Sequence, residues 1–262
     1  MLPIYPALYF VETLKGGTHP WAVAVQGASG KPEKYVVKPF RVSPHRHYAP
    51  AAGEILGAVL AAEFDLPRPE PALIEFTPDF LATLAVPQLQ QLKGAESNIY
   101  YGCQLLEGAF SYSPARAKKT LAQYDAGSIY AFDNLICNAD RRPIKPNLLL
   151  FEDDAYVIDH ELACFIPEKT FAQLQKGRWE HNYKGHLFYA ALRNPKLFAV
   201  EEGFIGFTDS LRRLNPAVLL PYLDQLAEHH LPVRDFDRFM GYLYYQKAHS
   251  HQFAALLRAT LQ

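Results

Sequence analysis

The sequence predicts an α+β fold in two lobes, a small β-rich amino-terminal lobe over residues 1–107 and a larger, mostly helical carboxy-terminal lobe over residues 108–262. Three observations predict it. Short β-branched and aromatic runs separated by glycine turns fill the first part. Past Pro167, aliphatic and aromatic residues recur at helical spacing in residues 183–193, 216–229 and 233–245. Between them, residues 132–164 hold an apolar run, a polar loop and a hairpin pattern. A chain of 262 residues, 49% of them hydrophobic, can bury one substantial core, so both lobes are read as a single domain, 1–262.

Each element has its own signal. Lys15-Gly16-Gly17-Thr18-His19-Pro20 reads as a turn between apolar segments, and residues 21–25 follow as a strand. Gly27 to Pro32 is a second turn, and Tyr35-Val36-Val37 is a β-branched strand ending on Lys38. Residues 51–64 read as a helix, with Ile55, Leu56, Val59, Leu60 and Phe64 on one face and Glu54 in the first turn. Prolines 67, 69 and 71 end it, and residues 72–76 are another strand. Residues 99–107 are extended and 108–114 cross to the second lobe, which puts the boundary within residues 97–114. Residues 115–137 are helical, with a break allowed at Gly127. A hairpin follows, its arms 148–151 and 156–158 and its turn at Glu152, Asp153 and Asp154.

That hairpin carries the most chemistry. Asn147 opens its first arm and Asp159 leaves its second, so the two belong at the same end, with Asp140 in the loop just before. Two carboxylates and an amide beside cations suit phosphoryl transfer from a nucleotide. One carboxylate orients the attacking hydroxyl, and the amide and the other carboxylate hold Mg²⁺. Arg141, Arg142 and Lys145 supply local positive charge near the phosphates. Upstream, a glycine turn, a strand ending in Lys38 and a helix carrying Glu54 come in that order. A strand-end lysine or an acidic turn is ordinary alone. The order of all five features gives them meaning.

Composition narrows the partners. The formal net charge of −1 gives no global electrostatic case for nucleic acid or an anionic membrane. The apolar start MLPIYPALYF lacks a basic region and is broken by Pro3 and Pro6, so it is not read as a signal peptide. No apolar run reaches the ~18 residues of a membrane span. Cys103, Cys137 and Cys164 show no pairing pattern, and reduced thiols in a cytoplasmic protein are expected. The ten histidines fall in no zinc-binding spacing.

The elements GGTHP, YVVKP, GEILGAVLAAEFDLPRPEPALI and ICNADRRPIKPNLLL with VIDHE resemble the HipA-like kinases, distant relatives of the protein-kinase and phosphoinositide-kinase folds. The resemblance spans roughly residues 11–165, and is closest to the short stand-alone domains that lack an additional amino-terminal subdomain. It implies a bilobal protein-kinase-like fold and an ATP- and Mg²⁺-dependent kinase acting on a hydroxyl, foremost Ser or Thr of a protein. Gly16, Gly17 and Thr18 would cover the nucleotide. Lys38 would contact its phosphates, braced by Glu54, and the connector at 97–114 would present backbone groups to adenine. Asp140 would be the catalytic aspartate, with Arg141 steadying the loop or the transferring group. Asn147 and Asp159 would bind the metal, with Asn138 as the alternative to Asn147. A protein substrate is implied, selected by residues 41–50 and the helices after Phe165, and a small regulatory partner protein fits the same picture.

The chain departs from the protein-kinase pattern in two places. Asp140 and Asn147 are seven apart where that loop has five, and Asp159 precedes His160-Glu161 rather than Phe-Gly. A nucleotide-binding module without activity and a small-molecule or lipid-headgroup kinase are the rival readings; intact Asp140 and Asp159 weigh against the first.

Overall fold

The computed structural model describes residues 1–28, 30–40, 49–95, 97–113, 123–178, 183–233 and 235–262. The expected selector loop 41–50 lies mostly outside these residues.

The amino-terminal part is a closed barrel. Its strands are β1 (Ile4–Thr13), β2 (Trp21–Gln26), β3 (Pro32–Val37), β4 (Pro71–Glu75) and β5 (Ile99–Gln104), in the order β1-β2-β3-β5-β4. All neighbours are antiparallel except β1 and β4, which close the barrel in parallel. The sequence signal hid β1 behind Pro3 and Pro6; Pro6 is accommodated opposite Glu75, and the strand carries register shifts against β2. Inside, Trp21, Val23, Val25, Tyr35, Val37, Ala72, Ile74 and Tyr100 form one cluster. Trp21 stacks on Phe76 with ring centroids 5.7 Å apart. Its indole N–H donates to Gln91 at 3.0 Å, from α3 (Val86–Gln91), which follows α2 (Pro78–Ala82).

Strand alternation gives the barrel a second buried face. On β4 and β5, Leu73, Ile99 and Tyr101 point away from Ile74 and Tyr100 and join the larger cluster. The helix packed there is α1 (Pro50–Glu63), buried on all sides from Pro50 to Ala61. Its apolar spacing was legible, but its all-round burial takes Glu54 inside as well.

After β5 the chain becomes mainly helical. The crossing segment contributes β6 (Phe110–Ser111), which pairs with the hairpin of β7 (Leu148–Phe151) and β8 (Asp154–Val157). Helix α4 (Ala126–Leu135) precedes the hairpin. The expected helix over 115–137 is described only in its later part, and it starts after Asp125 at φ 51 rather than breaking at Gly127. Gly127 sits inside α4 because a Cβ there would stand 2.8 Å from the Phe198 ring. The remaining helices are α5 (Glu168–Leu174), α6 (Tyr189–Leu192), α7 (Ile205–Arg213), α8 (Leu220–Glu228), α9 (Phe236–Ala248) and α10 (Ser250–Leu261). The pattern over 183–193 splits into a 3₁₀ turn and α6, and α9 begins only after Asp235 at φ 37. Among the described residues no helix is long and apolar enough to cross a membrane.

Candidate active site

Strand β3 delivers Lys38 to the junction of the barrel and the helical part. The Lys38 backbone N–H donates to Tyr101 O at 3.1 Å, which continues the β3–β5 ladder and fixes the direction of the side chain. Its Nζ donates to Glu54 Oε1 and, at 2.6 Å, to Asp159 Oδ1. The other Glu54 oxygen accepts the backbone N–H of His160 at 3.0 Å. Burial opposes the charge on Lys38, but the Glu54 and Asp159 carboxylates outweigh it and its pKa is raised. Burial likewise opposes the charge on Asp159, yet Lys38 and Lys145 hold its carboxyl down at about 2. The ammonium is therefore charged and shared between α1 and the exit of β8.

Two glycines allow this meeting. A Cβ on Gly53 would lie 2.7 Å from His160 O, and one on Gly57 would lie 2.5 Å from His160 Cβ. Spaced one helical turn apart, they let residues 160–161 press against α1. His160 is buried and its pKa falls to about 3, from burial and the neighbouring Arg141, so the ring is neutral. Glu161 turns toward the same region. Its oxygen lies with those of Glu54 and Asp159 inside 4.8 Å, and burial raises its pKa to about 7.

The loop before β7 is held from behind. Arg141 is 0% exposed. Its Nε and Nη2 donate to the two Asp133 oxygens at 2.5 and 3.2 Å. Its Nη1 donates to Asn147 O and, at 3.4 Å, to Ile158 O. Asn147 O also accepts from Ile158 N at 3.2 Å, so the loop end and the β8 exit are tied together. Both flanking residues adopt left-handed backbone, Asn147 at φ 47 and Asp159 at φ 64, a conformation that Asn and Asp tolerate better than most residues. The expected convergence of Asn147 and Asp159 has this physical basis.

The solvent side of the loop looks different. Arg142 Nη2 donates to Asp140 Oδ1 at 2.9 Å, and Lys145 Nζ donates to Asp140 Oδ2 at 2.5 Å. Lys145 also reaches Asp159 Oδ2 at 3.0 Å. Asn147 Nδ2 lies 3.4 Å from both Asp140 O and Asp140 Oδ2. Among the described residues its amide oxygen accepts no hydrogen bond, while its NH₂ faces Asp140. An amide oxygen and a carboxylate are both hard-oxygen donors of the kind that Mg²⁺ takes. Asn138 is not free for that purpose. Its Nδ2 donates to Asp133 at 2.9 Å and its Oδ1 accepts from Asp140 N at 3.1 Å.

The turn at Gly16, Gly17 and Thr18 has no described contact with this cluster. Register places it at the barrel end where β3 delivers Lys38, since Trp21 pairs with both Thr13 and Val37. Gln91 holds it by donating to Thr18 O and His19 O. The residues that sequence reasoning missed are Asp133, His186, Gly53 and Gly57. Asp133 had a signal, as a lone acid within the apolar run of α4. His186 Nε2 meets Asp133 Oδ2 at 2.9 Å, and no pattern in the sequence announces it.

Comparison with known proteins adds three findings. The family model described as HipA-like kinase matches residues 12–194. No curated protein matches the chain. Among solved structures, the chain is similar to the Helicobacter pylori proinflammatory kinase CtkA, with a TM-score of 0.49 and 10% identity, over 100% of this chain and 98% of that one.

Proposed function

We propose that this chain, which belongs to the HipA-like kinase family, is an ATP- and Mg²⁺-dependent kinase that transfers the γ-phosphoryl group to a hydroxyl, foremost Ser or Thr of a protein. The barrel with α1 to α3 (1–107) then acts as the nucleotide-covering lobe and residues 108–262 as the catalytic and substrate lobe. The observation that carries the reading is the Lys38 ammonium shared between Glu54 and Asp159, with Asp140 and Asn147 at the same end of the hairpin.

In this reading Lys38 positions the nucleotide phosphates and Glu54 keeps its ammonium in place. Gly16, Gly17 and Thr18 cover the phosphates from the barrel end. Asn147 and Asp159 hold Mg²⁺, which when bound neutralises charge on the phosphate oxygens. Asp140 orients the acceptor hydroxyl and takes its proton as the new O–P bond forms. The bond from Pγ to the bridging oxygen breaks, and ADP leaves with that electron pair. Each Asp140 oxygen also carries one cation in this structure, Arg142 on Oδ1 and Lys145 on Oδ2. Arg141 belongs to the frame, since its guanidinium is buried and committed to Asp133, Asn147 and Ile158.

The test is thermal. A ligand bound only by the folded state raises stability by mass action, about 2.7 kcal/mol at a hundred times its dissociation constant. The melting temperature is expected to rise with ATP plus Mg²⁺ and to rise less in Lys38→Met. A melt unchanged at millimolar Mg-ATP contradicts the reading.

A further inference from the structure

We propose that Asp133, on α4, is a positioning residue of the site, one buried carboxylate that sets where Asp140, Asn147 and Asp159 stand. This rests on the phosphotransfer reading of those three residues. Asp133 is 0% exposed and touches none of them. It acts through three neighbours. Asn138 donates to it at 2.9 Å, and the same amide accepts the Asp140 backbone N–H at 3.1 Å. Arg141 donates to it twice, and the far nitrogen of that guanidinium donates to Asn147 O and to Ile158 O, the residue before Asp159. His186 approaches at 2.9 Å, and its neighbour Leu187 donates to Arg141 O at 2.8 Å.

The donor count explains why a carboxylate is needed. Oδ1 faces Asn138 Nδ2 and Arg141 Nη2, and Oδ2 faces Arg141 Nε and His186 Nε2. His186 Nδ1 accepts from Phe188 N at 3.1 Å, so its Nε2 carries the proton and donates. Four donors on two oxygens saturate an ionised carboxylate. An amide at the same place would turn an NH₂ group toward two donors, so one pair of contacts must open. The consequence reaches the site because Asn147 and Asp159 both hold left-handed backbone, which persists where the surroundings over-determine it. Arg141 Nη1 supplies that constraint at Asn147 O and Ile158 O, and Asp133 aims Arg141.

Lys38 and Glu54 contact the nucleotide side of the site and share no hydrogen bond with Asp133 among the described residues. A purely structural role would weaken folding and leave metal affinity alone in whatever protein stays folded. A positioning role separates the two. The experiment is electron paramagnetic resonance titration of Mn²⁺, with and without a non-hydrolysable ATP analogue, alongside thermal melts. The proteins are full-length wild type, Asp133→Asn, and the double variant Asp133→Leu with Arg141→Met. The apolar pair removes both buried charges together, so neither is left unpaired. Both variants are expected to lose ~10–100-fold in Mn²⁺ affinity in the nucleotide complex, as supporting partners of metal ligands do. Metal-free nucleotide binding is expected to stay at the wild-type value, and the double variant to melt below wild type because Asn138 Nδ2 and His186 Nε2 lose their acceptor. Wild-type Mn²⁺ affinity in either folded variant overturns the proposal. A wild-type protein that binds no Mn²⁺-nucleotide overturns the phosphotransfer reading itself, a different and separately visible failure.

Discussion

The two sides of the loop from Asp140 to Asn147 are built on opposite principles. Behind it, Arg141 is 0% exposed and its contacts are the buried Asp133 carboxylate, two backbone carbonyls and the His160 ring. In front, the cations Arg142 and Lys145 are 44% and 41% exposed and bind the carboxylates that a phosphotransfer site would use. One short loop thus holds a fixed guanidinium and two exchangeable cations. Removing one member of a buried pair leaves an uncompensated charge, whereas a half-exposed pair is screened and contributes little. The buried inner contacts, not the half-exposed outer ones, therefore carry most of what holds the loop in place.

Four substitutions can break or sharpen that contrast. The largest effect is expected from Arg141→Met, which strands Asp133. Stability should fall by about 3–5 kcal/mol in denaturant titration, and a loss under 1 kcal/mol would erase the difference between the two sides. Gly57→Ala comes next, because its Cβ would stand 2.5 Å from His160 Cβ. Overpacking of that kind costs about 1–3 kcal/mol, and Mg-ATP stabilisation should shrink as α1 moves Glu54 away from Lys38.

Lys145→Ala should change stability by less than about 1 kcal/mol, as a half-exposed pair does. It should nonetheless lower the Mg²⁺ concentration needed for nucleotide tightening, because Asp159 Oδ2 loses a competing cation. Calorimetric titration against Mg²⁺ reads this, and a weaker metal response would mean that Lys145 helps to hold the ligands rather than compete for them. The smallest effect belongs to Glu161. Its folded pKa is raised to about 7, chiefly by burial, so between the ordinary carboxyl range and pH 7 the folded state binds more protons than the unfolded state. Its contribution to stability is present at low pH and is lost as pH rises through 7. Glu161→Gln should therefore gain thermal stability relative to wild type at pH 8 but not at pH 4.5, and equal gains at both would remove Glu161 as the titrating group.

The contrast also explains what the sequence could and could not reveal. Lys38, Asn147 and Asp159 were readable because each sits near a strand end whose turn chemistry is local, and Asp140 lies in the loop before Asn147. Glu54 stands just past the first turn of α1, the turn to which the sequence assigned it. Strand β3 points Lys38, and a short hairpin brings Asn147 and Asp159 to one end, where Arg141 ties Asn147 O and Ile158 O from behind. Arg141 was visible as a cation but not as a buried one, since its partner Asp133 lies on a helix and its other contacts are two backbone carbonyls and the His160 ring. His186 comes from a segment whose place depends on tertiary packing alone. The glycines of α1 read as weak helix formers, and only the approach of His160 explains them. Strand β1 was missed because its prolines argue locally against a strand, while the barrel needs it to join β2 to β4. The boundary of α4 followed the left-handed Asp125 rather than the glycine two residues later.

The central claim is that the outer side of the loop divides its labour, Asp140 serving the acceptor and Asp159 the metal. Calorimetric titration of ATP, with and without Mg²⁺, on Asp140→Asn and Asp159→Asn tests it most directly. Asp140→Asn is expected to keep Mg²⁺-dependent tightening of ATP while phosphoryl transfer falls by ~10²–10⁴-fold, the usual contribution of a general base. Asp159→Asn is expected to lose both, because an amide brings no charge to offset the cation. Equal Mg²⁺ dependence in the two variants would contradict this division, and full transfer by either would remove that aspartate from the catalytic set.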